Sequence, residues 1–109
     1  MDERRKYPRI DVSFPVECKA LPGQGYFYTV SKDLSEVGAK ILTNTFMAKD
    51  NLVKLHLNLI SKMLDLKAKV VWCNKERVSE RYTAGLEFTE MDATGRNELS
   101  NFISKINNS

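Results

Sequence analysis

The strongest constraint on the fold is a two-residue alternation of apolar and polar side chains that recurs along most of the chain. It is clearest at residues 64–72, where the apolar residues Leu64, Leu66, Ala68, Val70 and Trp72 alternate with Asp65, Lys67 and Lys69. Successive side chains of a β-strand point to opposite faces, so this pattern predicts a strand with one buried face. Because Trp72 falls in phase with Leu64 and Val70, we expect its side chain to pack in the core.

The same alternation occurs in five other stretches of the chain. They lie near residues 13–20, 26–31, 39–45, 53–59 and 82–88. A cluster of turn-forming residues at 21–25 separates the first two stretches. The spacing is typical of a small all-β domain built from short antiparallel strands.

The end of the chain changes period. Apolar residues three and four positions apart predict an amphipathic helix over about residues 92–106, namely Leu99, Phe102, Ile103 and Ile106. Asp92 stands at the start of this stretch and is suited to cap the helix. Six strands followed by one helix predict an all-β fold, a six-stranded antiparallel β-barrel closed at one end by a C-terminal helix. We assign residues 13–109 to the barrel and its helix, and residues 1–12, which lack periodicity, to a flexible basic arm.

Several classes of protein are excluded by composition. No apolar run is long enough to span a membrane, and no apolar stretch follows the charged start as in a secretory signal, so we expect a cytoplasmic protein. Cys18 and Cys73 are too few for a disulfide framework and are expected to be free thiols. With one histidine and these two distant cysteines, the chain lacks the ligands of a zinc site. The net charge of +3 is too small to indicate a general nucleic-acid binder.

Catalytic motifs are also lacking in the sequence. His56 lies within a predicted strand, has no nucleophile placed near it by motif, and is expected to be a solvated side chain. The sequence contains no nucleophile elbow, metalloprotease motif or phosphate-binding loop. We therefore do not expect an enzyme, and no cofactor or metal is indicated.

Two segments carry the residues suited to binding. Four cations fall within six positions of the N-terminal arm, at Arg4, Arg5, Lys6 and Arg9. A second segment, residues 31–38, joins two predicted strands and contains Asp33, Ser35 and Gly38. Each has a simpler explanation, because basic arms are often solvated tails and such segments often form turns that satisfy their own backbone.

Taken together, the two segments have a common chemistry. Arginine presents a planar fork of donors that suits phosphate oxygens and the O6/N7 edge of guanine. A carboxylate such as that of Asp33 accepts hydrogen bonds from guanine N1–H and N2–H₂, which adenine does not offer. Gly38 permits close approach of the backbone. These residues predict a site for a guanine nucleotide with several phosphate oxygens.

The pattern Arg5-x-x-x-Arg9 followed by Asp33-x-Ser35-x-x-Gly38 resembles the two-part signature of PilZ domains, bacterial receptors for cyclic di-GMP. Val71-Trp72 and the later Tyr82-x-x-Gly85-x-x-Phe88 are similar to the closing strands of that family. The resemblance covers nearly the whole chain. It implies a six-stranded antiparallel barrel with a C-terminal helix, in agreement with the fold expected from periodicity.

The resemblance also implies roles for individual residues. Arg5 and Arg9, with Arg4 as a helper, would hold phosphates and guanine edges, while Asp33, Ser35 and Gly38 would bind a guanine on the outside of the barrel. Trp72 is a secondary candidate, because stacking near the ligand is the alternative to core packing. The family binds its ligand as one molecule or as a stacked dimer, and Arg4 directly before the first motif favours the dimer.

The expected function is therefore that of a cyclic di-GMP receptor or adaptor, a monomer whose basic arm closes over the motif when the dianionic ligand neutralises it. An unknown downstream protein would read the new surface to control motility, exopolysaccharide synthesis or attachment. Neither membrane insertion nor DNA binding is expected. Two alternatives stay open: a degenerate PilZ domain that binds only protein, and a small-barrel binder of single-stranded nucleic acid.

Overall fold

The computed structural model describes residues 10, 11, 13–20, 26–59 and 62–107 of the chain. Six strands and one helix make up this part: β1 (Phe14–Ala20), β2 (Tyr26–Leu34), β3 (Gly38–Thr43), β4 (Leu52–Asn58), β5 (Met63–Lys75), β6 (Tyr82–Glu90) and α1 (Ala93–Asn107). The strands are antiparallel neighbours in the order β1-β2-β3-β6-β5-β4, and β4 pairs with β1 to close the barrel. The predicted six-stranded antiparallel barrel with a C-terminal helix is confirmed.

The alternation seen in the sequence corresponds to the inside and outside of the barrel. In β4, Val53, Leu55 and Leu57 are fully buried, whereas Lys54 and His56 between them are only partly covered. The inward side chains of all six strands join in one core, to which β5 contributes Leu64, Leu66, Ala68 and Val70. Burial of this apolar surface is the main driving force for closing the sheet.

Helix α1 packs one face against the barrel. Leu99 and Ile103 are buried, and Phe102 stands edge-on to Phe14 of β1 with ring centroids 6.4 Å apart. Asp92 caps the helix as predicted, since its Oδ1 accepts a hydrogen bond from the Gly95 N–H at 2.6 Å. Within the described residues, α1 is too short and too polar to cross a membrane.

Three register shifts interrupt the strand pairing of the described residues, and none was predicted. One lies between Ser31 and Asp33, where β2 pairs with β3. The other two lie where β5 pairs with β6, between Lys67 and Ala68 and between Val70 and Trp72. A β-bulge adds one residue to one strand, which inverts the alternation of side chains beyond it. The expectation that Trp72 packs in the core is therefore wrong: its side chain lies on the outer surface and is 38% exposed. Cys73 takes the inward position beside the core.

The polar side chains of the outer surface pair across strands. His56 lies opposite both Glu17 and Asp65, so its Nδ1 is 2.9 Å from Glu17 Oε1 and its Nε2 is 3.3 Å from Asp65 Oδ1. The prediction of a merely solvated histidine is thus wrong. Both cysteines are free thiols, as expected, and burial raises the pKa of Cys18 to about 12.

We predict that replacing Leu99 by alanine lowers the free energy of unfolding by about 2–5 kcal/mol, because the fully buried side chain leaves a cavity between helix and barrel. Urea denaturation followed by circular dichroism measures this loss. Asn101→Ala, at an exposed position of the same helix, is the matched control and should change stability by less than about 0.5 kcal/mol. Equal stability of the two variants would show that the helix does not pack on the barrel.

Candidate functional site

Buried polar side chains are concentrated where β2 meets β3. Among the described residues, the buried polar or charged side chains are Ser31, Asp33, Ser35 and Thr43, and the first three lie at the end of β2. Burying such groups is costly unless hydrogen bonds replace those lost to water. The segment predicted to carry the site therefore departs from the apolar interior of the rest of the barrel.

Ser35 shapes the turn between the two strands. Its hydroxyl oxygen accepts hydrogen bonds from the N–H groups of Val37 and Gly38, both at 3.2 Å. The N–H of Ser35 donates to the carbonyl oxygen of Gly38 at 2.9 Å. The turn thus satisfies its own backbone, which is the simpler explanation considered for this segment.

Gly38 is required because the turn lies directly against β6. A Cβ atom at this position would stand 2.3 Å from the carbonyl oxygen of Leu86, a backbone atom that cannot easily move away. The Phe88 N–H also donates to the carbonyl oxygen of Val37 at 2.8 Å. From the sequence, Gly38 was assigned a close approach to the ligand, which stays a prediction; the close approach in the structure is to β6.

Asp33 is anchored by the neighbouring strand. Its side chain is only 2% exposed, and its Oδ1 accepts a hydrogen bond from the Lys40 N–H at 2.9 Å. Its Oδ2 is 3.5 Å from the ammonium nitrogen of the same lysine. Lys40 was not singled out from the sequence, although its charge between the buried residues Ala39 and Ile41 indicates an outward position.

The chain enters the barrel beside this turn. Ile10 and Leu34 exchange two backbone hydrogen bonds, at 2.9 and 3.0 Å, and Ile10 is buried in the core. Leu34 lies between Asp33 and Ser35, so Ile10 is held next to both. The predicted ligand residues Arg4, Arg5 and Arg9 lie outside the described residues, and Arg9 directly precedes Ile10 in sequence.

Trp72 lies flat on the outer surface because its neighbour in β6 has no side chain. A Cβ atom on Gly85 would be 2.4 Å from the indole atoms Cε2 and Nε1. Gly85 pairs with Trp72 on one side and with Lys40 on the other, and Lys40 pairs with Asp33. Asp33, Lys40, Gly85 and Trp72 therefore form a line across four strands. Neighbouring strands are about 4.8 Å apart, so the backbones at Asp33 and Trp72 are separated by about 14 Å, measured across the sheet.

Two of these residues were not identified as site residues from the sequence. A glycine inside a strand pattern often marks a close approach of another group, so Gly85 carried a usable signal. Lys40 carried no sequence signal beyond its charge, because its importance depends on the carboxylate that the barrel places opposite it.

A carboxylate network borders the same surface. Glu76 accepts hydrogen bonds from the hydroxyls of Thr83 at 3.0 Å and Ser79 at 3.1 Å, and lies 3.7 Å from the Lys32 ammonium. The Thr83 and Ser79 hydrogen bonds, together with the attraction of Lys32 and Arg81, lower the pKa of the Glu76 carboxyl. This group therefore stays ionised and holds Lys32 at the edge of the line.

Two clefts on the described surface are lined by residues outside the motif. One of about 220 Å³ lies outside β2 and β3, with Tyr28, Leu42 and Arg81 among its lining residues. Another of about 390 Å³ lies between β4, β5 and the start of α1. No group of three or more potential metal ligands occurs among the described residues.

We predict that Gly85→Ala displaces the Trp72 indole, because the added methyl group overlaps the ring. Trp72 is the sole tryptophan, so its fluorescence reports the change directly. Emission should shift to longer wavelength with stronger quenching by acrylamide, and stability should fall by about 1–3 kcal/mol. Thr89→Ala, on the exposed outer side of the same strand, should leave the emission unchanged. Identical emission of Gly85→Ala and the parent protein would contradict the described packing.

We also predict that the Glu76 carboxyl titrates below its ordinary value of 4.5, and that Thr83→Ala moves its pKa back toward that value. A carboxyl whose pKa is lower in the folded than in the unfolded protein stabilises the fold above the unfolded value. That contribution disappears as the pH falls through the folded pKa. Carbon-13 shifts of the carboxyl carbon against pH provide the measurement, with Thr89→Ala as control. An unchanged midpoint in Thr83→Ala would exclude the hydrogen bond as the cause.

Comparison with known proteins agrees with this architecture. The PilZ domain family model matches residues 3–105. The Bacillus subtilis inhibitor of motility, MotI/DgrA, has a similar structure with a TM-score of 0.85 and 20% sequence identity, over 99% of this chain and 53% of that one. The chain thus spans about half the length of MotI.

Two further structures match over nearly their whole length. The PilZ domain of CeSA from a cellulose-synthesizing bacterium has a TM-score of 0.67 and 19% identity, over 92% of this chain and 98% of that one. The PilZ domain of Escherichia coli YcgR, solved with c-di-GMP, has a TM-score of 0.77 and 16% identity, over 97% of this chain and 93% of that one. None of the curated proteins is a match. Since the family model spans almost the entire chain, this protein belongs to the PilZ domain family.

Proposed function

We propose that this protein is a receptor or adaptor for cyclic di-GMP and not an enzyme. The observation that carries the proposal is the β2–β3 turn, where Asp33 and Ser35 are held beside Ile10, the residue that follows the basic RxxxR segment. The residue that follows the first motif in the sequence is thus bound beside the second motif, which supports a joint role for the two. Family membership supports the proposal, and the similar YcgR domain was solved with c-di-GMP.

Each proposed ligand residue has a chemical task. The Asp33 carboxylate would accept hydrogen bonds from guanine N1–H and N2–H₂. Ser35 and Gly38 would hold the turn against which the base lies. The guanidinium groups of Arg5 and Arg9, assisted by Arg4, would bind phosphate oxygens and the O6/N7 edge of guanine. The exposed indole of Trp72 offers a face for stacking at the other end of the line.

We propose that the ligand draws the basic arm over the turn. A cyclic dinucleotide carries two phosphate charges, which would neutralise the cations of residues 4–9 and favour the closed arrangement. Arg4 favours a stacked dimer of the ligand on a monomeric protein. The changed surface would be recognised by a partner in the cytoplasm. Control of motility is one candidate output, since the similar MotI chain is described as an inhibitor of motility, and exopolysaccharide synthesis and attachment are others.

The described outer surface argues against the nucleic-acid alternative. Lys67 lies 3.8 Å from the Glu90 carboxylate and Lys69 lies 3.7 Å from that of Glu87. Such pairing interrupts the continuous cationic groove with stacking aromatics that single-stranded nucleic acids require. The alternative of a domain that binds only protein is distinguished by the ligand experiment below.

Calorimetric titration of cyclic di-GMP into the full chain tests the proposal, with GMP, cyclic di-AMP and a short single-stranded RNA as comparison ligands. We expect binding of cyclic di-GMP alone, with the stoichiometry showing whether one or two molecules bind. Arg9→Ala and Asp33→Ala should each weaken binding by about 10- to 100-fold, the range for a hydrogen bond to a charged group.

Lys54→Met, on the outer surface of β4 away from the motif, is the control and should bind as the parent does. Thermal unfolding of every variant verifies that it is folded. Absence of binding heat with folded parent protein would refute the receptor function and leave protein interaction as the leading alternative. Equal binding of cyclic di-AMP would refute the guanine specificity assigned to Asp33.

A further inference from the structure

Lys40 holds the carboxylate that the proposed ligand requires. Its backbone N–H donates to Asp33 Oδ1 at 2.9 Å, and its ammonium nitrogen lies 3.5 Å from Asp33 Oδ2. The lysine side chain is 40% exposed, whereas that of Asp33 is 2% exposed. The two residues thus form a pair with one buried and one accessible member.

This pair conflicts with guanine recognition unless it opens. Guanine presents two neighbouring donors, which a carboxylate accepts best with both of its oxygens. In the structure the Lys40 ammonium lies beside one of these oxygens. The lysine side chain is 40% exposed, so an incoming base that donates hydrogen bonds to the carboxylate can displace its ammonium toward solvent. The backbone hydrogen bond to Oδ1 belongs to the main chain of β3 and can stay when the side chain moves.

The line of residues on the outer surface continues beyond Lys40. Across the strand from Lys40 lies Gly85, which has no side chain, and beyond it the indole of Trp72 lies against the sheet. A ligand that spans the line from Asp33 to Trp72 would therefore pass over Lys40. The diester phosphates of a cyclic dinucleotide lie between its bases and carry its negative charge.

We infer that Lys40 exchanges partners on ligand binding, so that its ammonium leaves the Asp33 carboxylate and binds a phosphate of the ligand. This inference rests on the proposed cyclic di-GMP function and adds a phosphate-binding residue supplied by the barrel wall itself. It separates two tasks within one residue: the backbone of Lys40 orients Asp33, and its side chain binds the anion.

The other lysines near the line are not equivalent. Lys32 lies 3.7 Å from the Glu76 carboxylate, and Lys69 lies 3.7 Å from that of Glu87. Neither carboxylate belongs to the motif, so a guanine bound at Asp33 would not displace those lysines. Lys40 differs because its carboxylate partner, Asp33, is the one to which the guanine base would donate hydrogen bonds.

The test is calorimetric titration of cyclic di-GMP into the full chain and its Lys40→Met and Lys40→Arg variants, at low and at high salt. Lys40→Met keeps the backbone hydrogen bond and the length of the stem but removes the charge. We expect it to weaken binding about tenfold, as for loss of one charge-assisted hydrogen bond. The salt dependence of its affinity should also be shallower than that of the parent, because one ion contact is lost. Lys40→Arg should restore most of the affinity and the parent salt dependence.

Lys54→Met controls for loss of a lysine from the outer surface, since Lys54 lies on β4 between Lys19 and Lys67. Thermal unfolding shows whether each variant folds, and Lys40→Gln replaces Lys40→Met if the latter does not. If the parent binds and Lys40→Met binds equally well, or more weakly with an unchanged salt dependence, the partner exchange is wrong while the receptor function stands. If the folded parent binds no cyclic di-GMP, the receptor function fails and this inference fails with it.

Discussion

The contact between the β2–β3 turn and strand β6 is the constraint on which the candidate site depends. Gly38 lies so close to the carbonyl oxygen of Leu86 that no side chain fits between them, and Val37 is hydrogen-bonded to Phe88. At this separation the backbone groups of the turn cannot all reach water, so side chains must take its place. Ser35 and Asp33 do so, which explains why polar residues are buried at this end of an otherwise apolar barrel.

Two of the register shifts bring chemically different side chains to one surface. The shift between Ser31 and Asp33 leaves Asp33 opposite Lys40. The shift between Val70 and Trp72 removes the indole from the core and places it over Gly85. A regular barrel would have buried the indole and changed the neighbours of the carboxylate. Bulges commonly change the direction of side chains in this way near functional sites. Here the first shift lies beside β3 and the second beside β6, and these two strands are neighbours in the barrel.

The features predictable from the sequence are those set by local periodicity and turn chemistry. The inward residues of β4 and β5 and the apolar stripe on α1 were identified because burial selects apolar side chains at regular spacing. Asp92 was identified as a cap because its side chain can accept a hydrogen bond from a free N–H group of the first helical turn. The outward position of Trp72 was not predictable in this way, since an extra residue in a strand leaves no mark in composition. The side-chain contacts of His56 and the ion pair of Lys40 depend on residues that only the closed sheet brings opposite them. The placement of Arg5 and Arg9 stays a prediction, as does their role.

Closure of the barrel has a consequence for how such a protein acquires its partners. Each strand from β1 to β6 is hydrogen-bonded to a neighbour on both sides. Where a described strand is paired on both sides, it presents no row of free backbone donors and acceptors onto which another chain could add a strand. Along these stretches a partner has to recognise the outward side chains. Those side chains can change without disturbing the hydrogen bonds of the barrel, so one scaffold can acquire new partners by surface substitution alone.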